Sequence, residues 1–213
     1  MNKNIQLNIH KNWLKAWSLS RKLPLPVKYK SGWMVDVGYK NQKKRYVFPE
    51  LNDDFIQLSE TIDEPWIYLK VCASPDELRD KLSEKWVIQP QGYMMSCFKQ
   101  MSFPKGSLPN KYKFEFESYN STFVVRIVTN DGELASIGRV VLVDDLAIYD
   151  RISTEANHRR NGLATFLMNE LEKIALTNNI HNNFLVATED GKYFYQTLGW
   201  ELYSPYTSVV IPD

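Results

Sequence analysis

The sequence predicts a protein of the α/β (α+β) class, and three observations predict it. Residues 122–129 and 134–143 are strand-like runs rich in β-branched residues, separated by the turn Asn130-Asp131-Gly132. Leu163, Phe166, Leu167, Leu171 and Ile174 fall on one face of a helix. Between these runs the order is strand, glycine-bearing loop, helix, with the strand over 146–154 and the loop over 155–162.

The remaining elements follow from the same rules. Trp13, Leu14 and Trp17 have helical spacing, and 33–38 and 45–48 read as strands around a basic turn. A helix from about Asn52 carries Leu51, Phe55, Leu58 and Ile62 on one stripe, and a strand is predicted over 66–71. Ser74-Pro75-Asp76-Glu77 is a capping box with proline at the first helical position, so it opens another helix. Further on, strands are predicted over 112–117 and 183–188, then a short helix over 190–198 ending at Gly199, then a hairpin around Ser204-Pro205-Tyr206. Pro104, Gly106 and Pro109 interrupt regular structure at 101–110, and the charge balance changes sign there, from a basic surplus to an acidic one. Two regions are therefore expected: an amino-terminal α+β region over 1–105 and a second domain over 111–213. No internal repeat is visible.

Composition excludes several classes of function. The 213 residues carry a formal net charge of +1, with 44% hydrophobic and 24% charged residues, the profile of an ordered globular chain. No uncharged apolar run approaches the roughly 18 residues of a membrane helix. The first residues lack the apolar core of a secretory signal, so a cytoplasmic protein is expected. Cys72 and Cys97 stand far apart and outside any metal-ligand spacing, which argues for two buried thiols and no metal. Lys40, Lys43, Lys44 and Arg45 are read as a solvated turn, since near-neutral total charge and the lack of a recognised motif rank nucleic-acid binding last. All tryptophans but Trp200 precede Pro90, and most are assigned to a core, with an aromatic wall for a ligand as the alternative.

The loop before the Leu163 helix carries the chemistry. Arg159, Arg160 and Gly162 place guanidinium donors, unpaired N–H groups and the positive end of a helix dipole at one point, which suits a phosphate. Gly162 lets the backbone approach an anion, and Ala164 keeps the first turn thin enough for a pyrophosphate. Neither GxxxxGK nor GxGxxG is present.

The run Arg159-Arg160-Asn161-Gly162-Leu163-Ala164 resembles the (Arg/Gln)xxGx(Gly/Ala) signature of the GNAT superfamily of acyl-CoA N-acyltransferases. Some 30 residues on, Phe194-Tyr195-Gln196-Thr197-Leu198-Gly199-Trp200 resembles that family's FYxxLGF segment. Residues 149–154 and 187–191 are similar to bacterial members with an amino-terminal extension. The resemblance implies a GNAT fold with a mixed, mostly antiparallel central sheet, and acetyl-CoA as co-substrate. The implied reaction is direct transfer of an acetyl group to an amine of a small molecule or peptide. It further implies that Ile152, Ser153, Thr154, Arg159, Arg160, Asn161, Gly162, Leu163, Ala164 and Thr165 hold the co-substrate. Tyr195 would then lie near the acyl-CoA sulfur, as proton donor to the departing thiolate.

The acceptor side is less determined. By strict alternation Leu146, Ile148, Asp150 and Ile152 share one face, which makes Asp150 the candidate general base or ammonium ligand. Pairing with a nearby arginine is its other reading, and a bulge in this strand would reverse the facing. Glu189, Asp190 and Tyr149 are substitutes for the role. His158 is assigned to the loop surface and not to catalysis. The two helices that follow the first strand in compact members are not visible between Phe116 and Phe123, so the region 51–82 is expected to supply them, or the cleft to be open there. Glu133, Asp144, Asp145 and Asp150 would suit a cationic acceptor and would equally suit a solvated surface. A homodimer through the last strands is a further expectation from the resemblance. The rival reading is a non-catalytic acyl-CoA-binding sensor or protein-interaction module of the same fold.

Overall fold

The computed structural model describes residues 3–213, with side chains from Ile9 onward. Helix α1 (Lys3–Leu19) is followed by β1 (Val27–Tyr29), β2 (Gly32–Tyr39) and β3 (Gln42–Phe48), then α2 (Asp53–Thr61), β4 (Ile67–Val71) and α3 (Pro75–Arg79). Strands β5 (Val87–Ile88) and β6 (Gly92–Cys97) lead to β7 (Tyr112–Tyr119), β8 (Thr122–Thr129), β9 (Leu134–Val143) and β10 (Leu146–Thr154). Helix α4 (Leu163–Thr177), β11 (Asn182–Ala187), α5 (Glu189–Thr197) and β12 (Glu201–Val210) complete the order. Local chemistry sets the helix starts. The Asn52 side chain accepts from the Phe55 N–H to begin α2, the Ser74–Glu77 capping box begins α3, and the Thr188 side chain accepts from the Gly191 N–H to begin α5.

The strands join in one sheet of order β1-β2-β3-β4-β12-β6-β11-β10-β9-β8-β7, with β5 beside β12. Pairing is antiparallel except for β3 with β4 and β10 with β11, so the sheet is mixed and mostly antiparallel, as the sequence predicts. The order is close to palindromic. In each half a parallel pair is joined through one helix, α2 or α4, and each half then receives a strand from the other. β12 closes on β4, and β6 closes on β11. β12 and β6 also pair with each other and join the halves into one sheet.

Two predictions are corrected here. Residues 201–210 form one strand and not a hairpin around Pro205, because Pro205 lies just past a register shift between Leu202 and Ser204, where the ladder is already irregular. The run 86–98, in which no strand was predicted, carries β6, with Pro90 and Gly92 marking its entrance. β12 lies inside the sheet, with residues 201–206 paired to β6 and 207–210 to β4.

Helices cover both faces of the sheet. α4 packs on Val125, Ile127, Ala135 and Val140 with its stripe Leu163, Leu167 and Leu171. α1 lies on the opposite face, where Trp13, Leu14 and Trp17 meet Val35 and Val47 of one half and Val141, Ile148 and Phe184 of the other. The helices α2 and α3 cover Phe48, Leu69, Val71 and Val209 in a third cluster. Most predicted core tryptophans are therefore core residues: Trp13, Trp17, Trp33, Trp86 and Trp200 are all buried.

Glu172 of α4 is 2% exposed, and its Oε1 accepts from the Met101 N–H at 2.7 Å, which ties the irregular segment after β6 to the helix. Burial raises the Glu172 carboxyl above its usual range. A carboxyl whose folded pKa is raised loses stabilising power as pH climbs through that pKa. Glu172→Gln, which retains an acceptor for Met101, should therefore be more stable than the parent at pH 7, and the difference in urea midpoint should vanish as pH falls below the ordinary glutamate range.

Candidate active site

The site is built on a defect in β10. The pairing of β10 with β11 runs from Leu146–Asn182 to Tyr149–Leu185 and stops there. On the other edge the register with β9 shifts between Asp150 and Ser153, and Arg151 takes a left-handed backbone, φ 52°. This is a bulge, with Arg151 and Ile152 together opposite Gly138. It interrupts the predicted facing. Leu146 and Ile148 lie in the α1 core, whereas Ile152 packs on the α4 side. A Cβ on Gly138 would stand 2.5 Å from Ile152 Cδ1 and 3.0 Å from Leu167 Cδ2, so the Ile152 side chain fills the space above this glycine. The outcome is a V-shaped gap between β10 and β11 in which the β10 backbone beyond Tyr149 is unpaired on its β11 side.

On one side of the gap lies a cleft of about 620 Å³. Of the ten residues predicted to hold a co-substrate, Ile152, Ser153, Thr154, Arg159, Arg160, Gly162, Leu163, Ala164 and Thr165 line it. Asn161 does not; its amide donates to the His158 and Arg159 carbonyls and shapes the turn. Arg160 and Gly162 are both left-handed, φ 64° and 71°, which directs successive N–H groups of the turn toward the start of α4. Gly162 is the N-cap of α4, so the first N–H groups of that helix have no carbonyl one turn earlier. Such a turn can take a pyrophosphate without a metal. Among the described residues no group of three or more histidines, cysteines or acids gathers that could hold one. His158 lies outside the cleft, with Nδ1 3.1 Å from the Tyr112 hydroxyl.

On the other side lies a cavity of about 510 Å³, walled by Trp13 and Trp17 of α1 and by Arg21 in the turn after it, and floored by Arg45, Lys70 and Tyr206. Asp190, at the start of α5, lines both the cleft and the cavity, so the two open on the same point. The wall expected from the region 51–82 is thus supplied to the cavity by α1. The helices in the 51–82 region, expected there, are held in the third core cluster on the far face of the sheet.

Asp150 faces the cavity and is paired. Its Oδ2 accepts from Arg21 Nη1 at 2.5 Å and from Ser20 Oγ at 2.7 Å, and its Oδ1 accepts from Arg21 Nη2 at 3.1 Å. Three of about four acceptor positions on the carboxylate are filled, and Oδ1 keeps one. Tyr195 is 8% exposed, wedged against Phe194 and Trp200. Burial, with a smaller contribution from the Asp150 charge, raises the Tyr195 phenol well above its usual range, so the hydroxyl is protonated at neutral pH. Of the substitutes for a base, Tyr149 is occupied, donating to Asn183 Oδ1 at 3.0 Å, and Glu189 is held by Lys192 and Tyr93.

Sequence reasoning missed Arg45 and Lys70 as cavity residues. Arg45 had been grouped with its exposed lysine neighbours, but alternation along β3 turns it inward beside Val47, 9% exposed, with its guanidinium 3.7 Å from the Trp17 ring centre. Burial holds it down to about 10. Lys70 alternates with Leu69 and Val71 in the same way, and burial lowers its ammonium well below the usual lysine value. A lysine inside the apolar run Ile67-Tyr68-Leu69-Lys70-Val71 was the available signal.

Comparison with known proteins agrees with this fold. A family profile described as the acetyltransferase (GNAT) family matches residues 87–200. No curated protein sequence gives a significant match. Among solved structures, a GCN5-related N-acetyltransferase from Kribbella flavida is similar over 98% of this chain and 96% of its own, at 15% identity and TM-score 0.70. A GCN5-related N-acetyltransferase-like protein from Streptococcus suis is similar over 98% and 99%, at 14% identity and TM-score 0.59. A tandem GNAT protein from the clavulanic acid biosynthesis pathway is similar over 98% and 95%, at 12% identity and TM-score 0.58. With its profile match spanning the bulged strand, the turn before α4 and α5, the chain belongs to the GNAT acetyltransferase family, whose general activity is acyl transfer.

Proposed function

We propose that the protein transfers an acetyl group from acetyl-CoA to the amine of a small molecule or peptide, directly and without a covalent enzyme intermediate. One observation carries the reading: the anion-binding cleft and the second cavity open on each other at the gap between β10 and β11, beside Asp190. Acetyl-CoA supplies an activated thioester carbonyl. The turn 159–165 binds its pyrophosphate through N–H groups and Arg159 and Arg160. N–H groups of the strand at 152–154 stabilise the oxyanion formed when the amine attacks that carbonyl. The C–S bond then breaks, and Tyr195 gives its proton to the thiolate. Asp150, through the open position on Oδ1, draws the substrate ammonium and accepts its proton directly or by way of water.

Thermal denaturation of the purified protein with acetyl-CoA, CoA, ATP and NAD tests the binding half. A ligand at about 100 times its dissociation constant stabilises the native state by about 2.7 kcal/mol. Selective stabilisation by acetyl-CoA and CoA is expected, and a flat response overturns the reading. Amine-dependent thiol release tests the transfer; CoA binding without release from any amine would favour the sensor reading. Arg160→Ala should weaken CoA binding about tenfold, the worth of one charge-assisted contact to phosphate. Gly162→Val should weaken it further by forcing a β-branched residue into a left-handed turn. Titration calorimetry with CoA reads both.

A further inference from the structure

Lys70 and Arg45 are buried at the floor of the acceptor cavity, 8% and 9% exposed. Among the described residues neither has a carboxylate within ion-pair distance; of the three acids that line the cavity, Asp150 is taken by Arg21 and Ser20, and Glu189 and Asp190 lie at its mouth. What they do have is neutral. Lys70 Nζ donates to Ser208 Oγ at 2.5 Å and lies over the Tyr68 ring. Arg45 lies over Trp17, and Gln42, with its amide oxygen turned toward it, accepts from Nε and Nη2 at 3.0 Å. A third polar group belongs to the same surroundings: Tyr206 is among the residues that line this cavity, and its hydroxyl is buried without a hydrogen-bond partner. Burying cations without a counter-charge costs more than burying apolar groups of the same shape. Two buried basic side chains and an orphaned hydroxyl among the residues of one cavity describe a site for an anion, whose charge would favour the protonated form of both.

The opposite charge lies at the mouth. Glu189 and Asp190 are exposed at the rim beside the β10–β11 gap, where the amine must meet the thioester. We infer that the acceptor carries an anionic group, a carboxylate or a phosphate, beside its amine, and that Lys70, Arg45 and the Tyr206 hydroxyl bind that group while the amine points to the gap. The inference rests on the acetyl-transfer reading for the identity of the amine, though not for the anion site. It differs from the cationic acceptor expected from the acidic residues of the second half. Of those residues, Asp150 is neutralised by Arg21 and Glu133 stands beside His158, away from the cavity.

Acetylated products serve as probes, because they need no turnover. Trp13 and Trp17 line the cavity, so tryptophan fluorescence reports occupancy. With CoA at saturation to fill the pyrophosphate turn, N-acetyl-β-alanine is titrated against its primary amide, and N-acetylethanolamine phosphate against N-acetylethanolamine. At least one anion should bind ten times or more tightly than its neutral partner, and the pair that shows the preference tells carboxylate from phosphate. Lys70→Met should abolish the preference and raise the melting temperature of the ligand-free protein; a structural role for the lysine would lower it. Equal binding of charged and neutral partners by the parent protein overturns the inference even if no variant folds. An anion preference that survives in Lys70→Met, or in Lys70→Gln should the methionine variant not fold, overturns it too. Failure of CoA itself to bind overturns the acetyl-transfer reading, and the loss or survival of anion preference in the Lys70 variants still decides this one.

Discussion

Tyr195→Phe should lower kcat for acetyl transfer by about 10² to 10³, within the usual range for removing a positioned proton donor. The dissociation constant for acetyl-CoA should barely change. The phenyl ring retains the contacts with Phe194 and Trp200, and the cleft that holds the pyrophosphate is lined by other residues. The loss belongs to the step in which sulfur departs. It should therefore shrink with a thioester whose thiol is more acidic, because a better leaving group has less need of the proton. Rapid-quench measurement of the chemical step, paired with calorimetric titration of acetyl-CoA, makes the comparison. Equal loss in rate and in affinity would show that Tyr195 only shapes the cleft.

The second large effect is expected at Trp17. This side chain is 6% exposed in the core that joins α1 to both halves of the sheet, and both Arg21 and Arg45 stack on its ring. Trp17→Ala should cost about 3 to 5 kcal/mol in urea denaturation, the range for emptying an aromatic from a core. At a temperature where the variant remains folded, the acceptor KM should rise while acetyl-CoA affinity holds, because the wall that is lost belongs to the cavity and not to the cleft. Trp17→Phe should recover most of the stability. If acetyl-CoA affinity fell in step with the acceptor KM, the separation of the two sites by the bulged strand would be wrong.

What could be read from the sequence is what depends on neighbours along the chain. The turn at Arg159 to Gly162, the stripes of α2 and α4 and the cap of α3 are local chemistry, and each lies where periodicity and capping put it. The bulge was open as a possibility but not locatable, because Arg151 carries no sign of its left-handed backbone. β6 was hidden by Pro90 and Gly92, which mark its entrance but resemble a linker. The acceptor cavity was beyond reach for a different reason. Its walls come from α1, β3, β4, β10 and β12, elements that meet only because the sheet is continuous across both halves. Arg45 and Lys70 acquire meaning there through long-range pairing, as does the capture of Asp150 by Arg21 across 129 positions of chain.

The exchange of β12 and β6 between the halves bears on how the molecule is born. During synthesis β4 emerges with one edge unsatisfied, and its covering strand, β12, follows every other strand of the sheet. Neither half can be finished first, so a nascent chain carries an open strand edge, the kind of surface that invites pairing with the wrong neighbour, until residues 201–210 appear. Once they do, a single event seals both halves. Unfolding by denaturant should then proceed as one transition and not two, and cleaving the chain between β6 and β7 should leave fragments that are each short of a strand and recover order only when mixed.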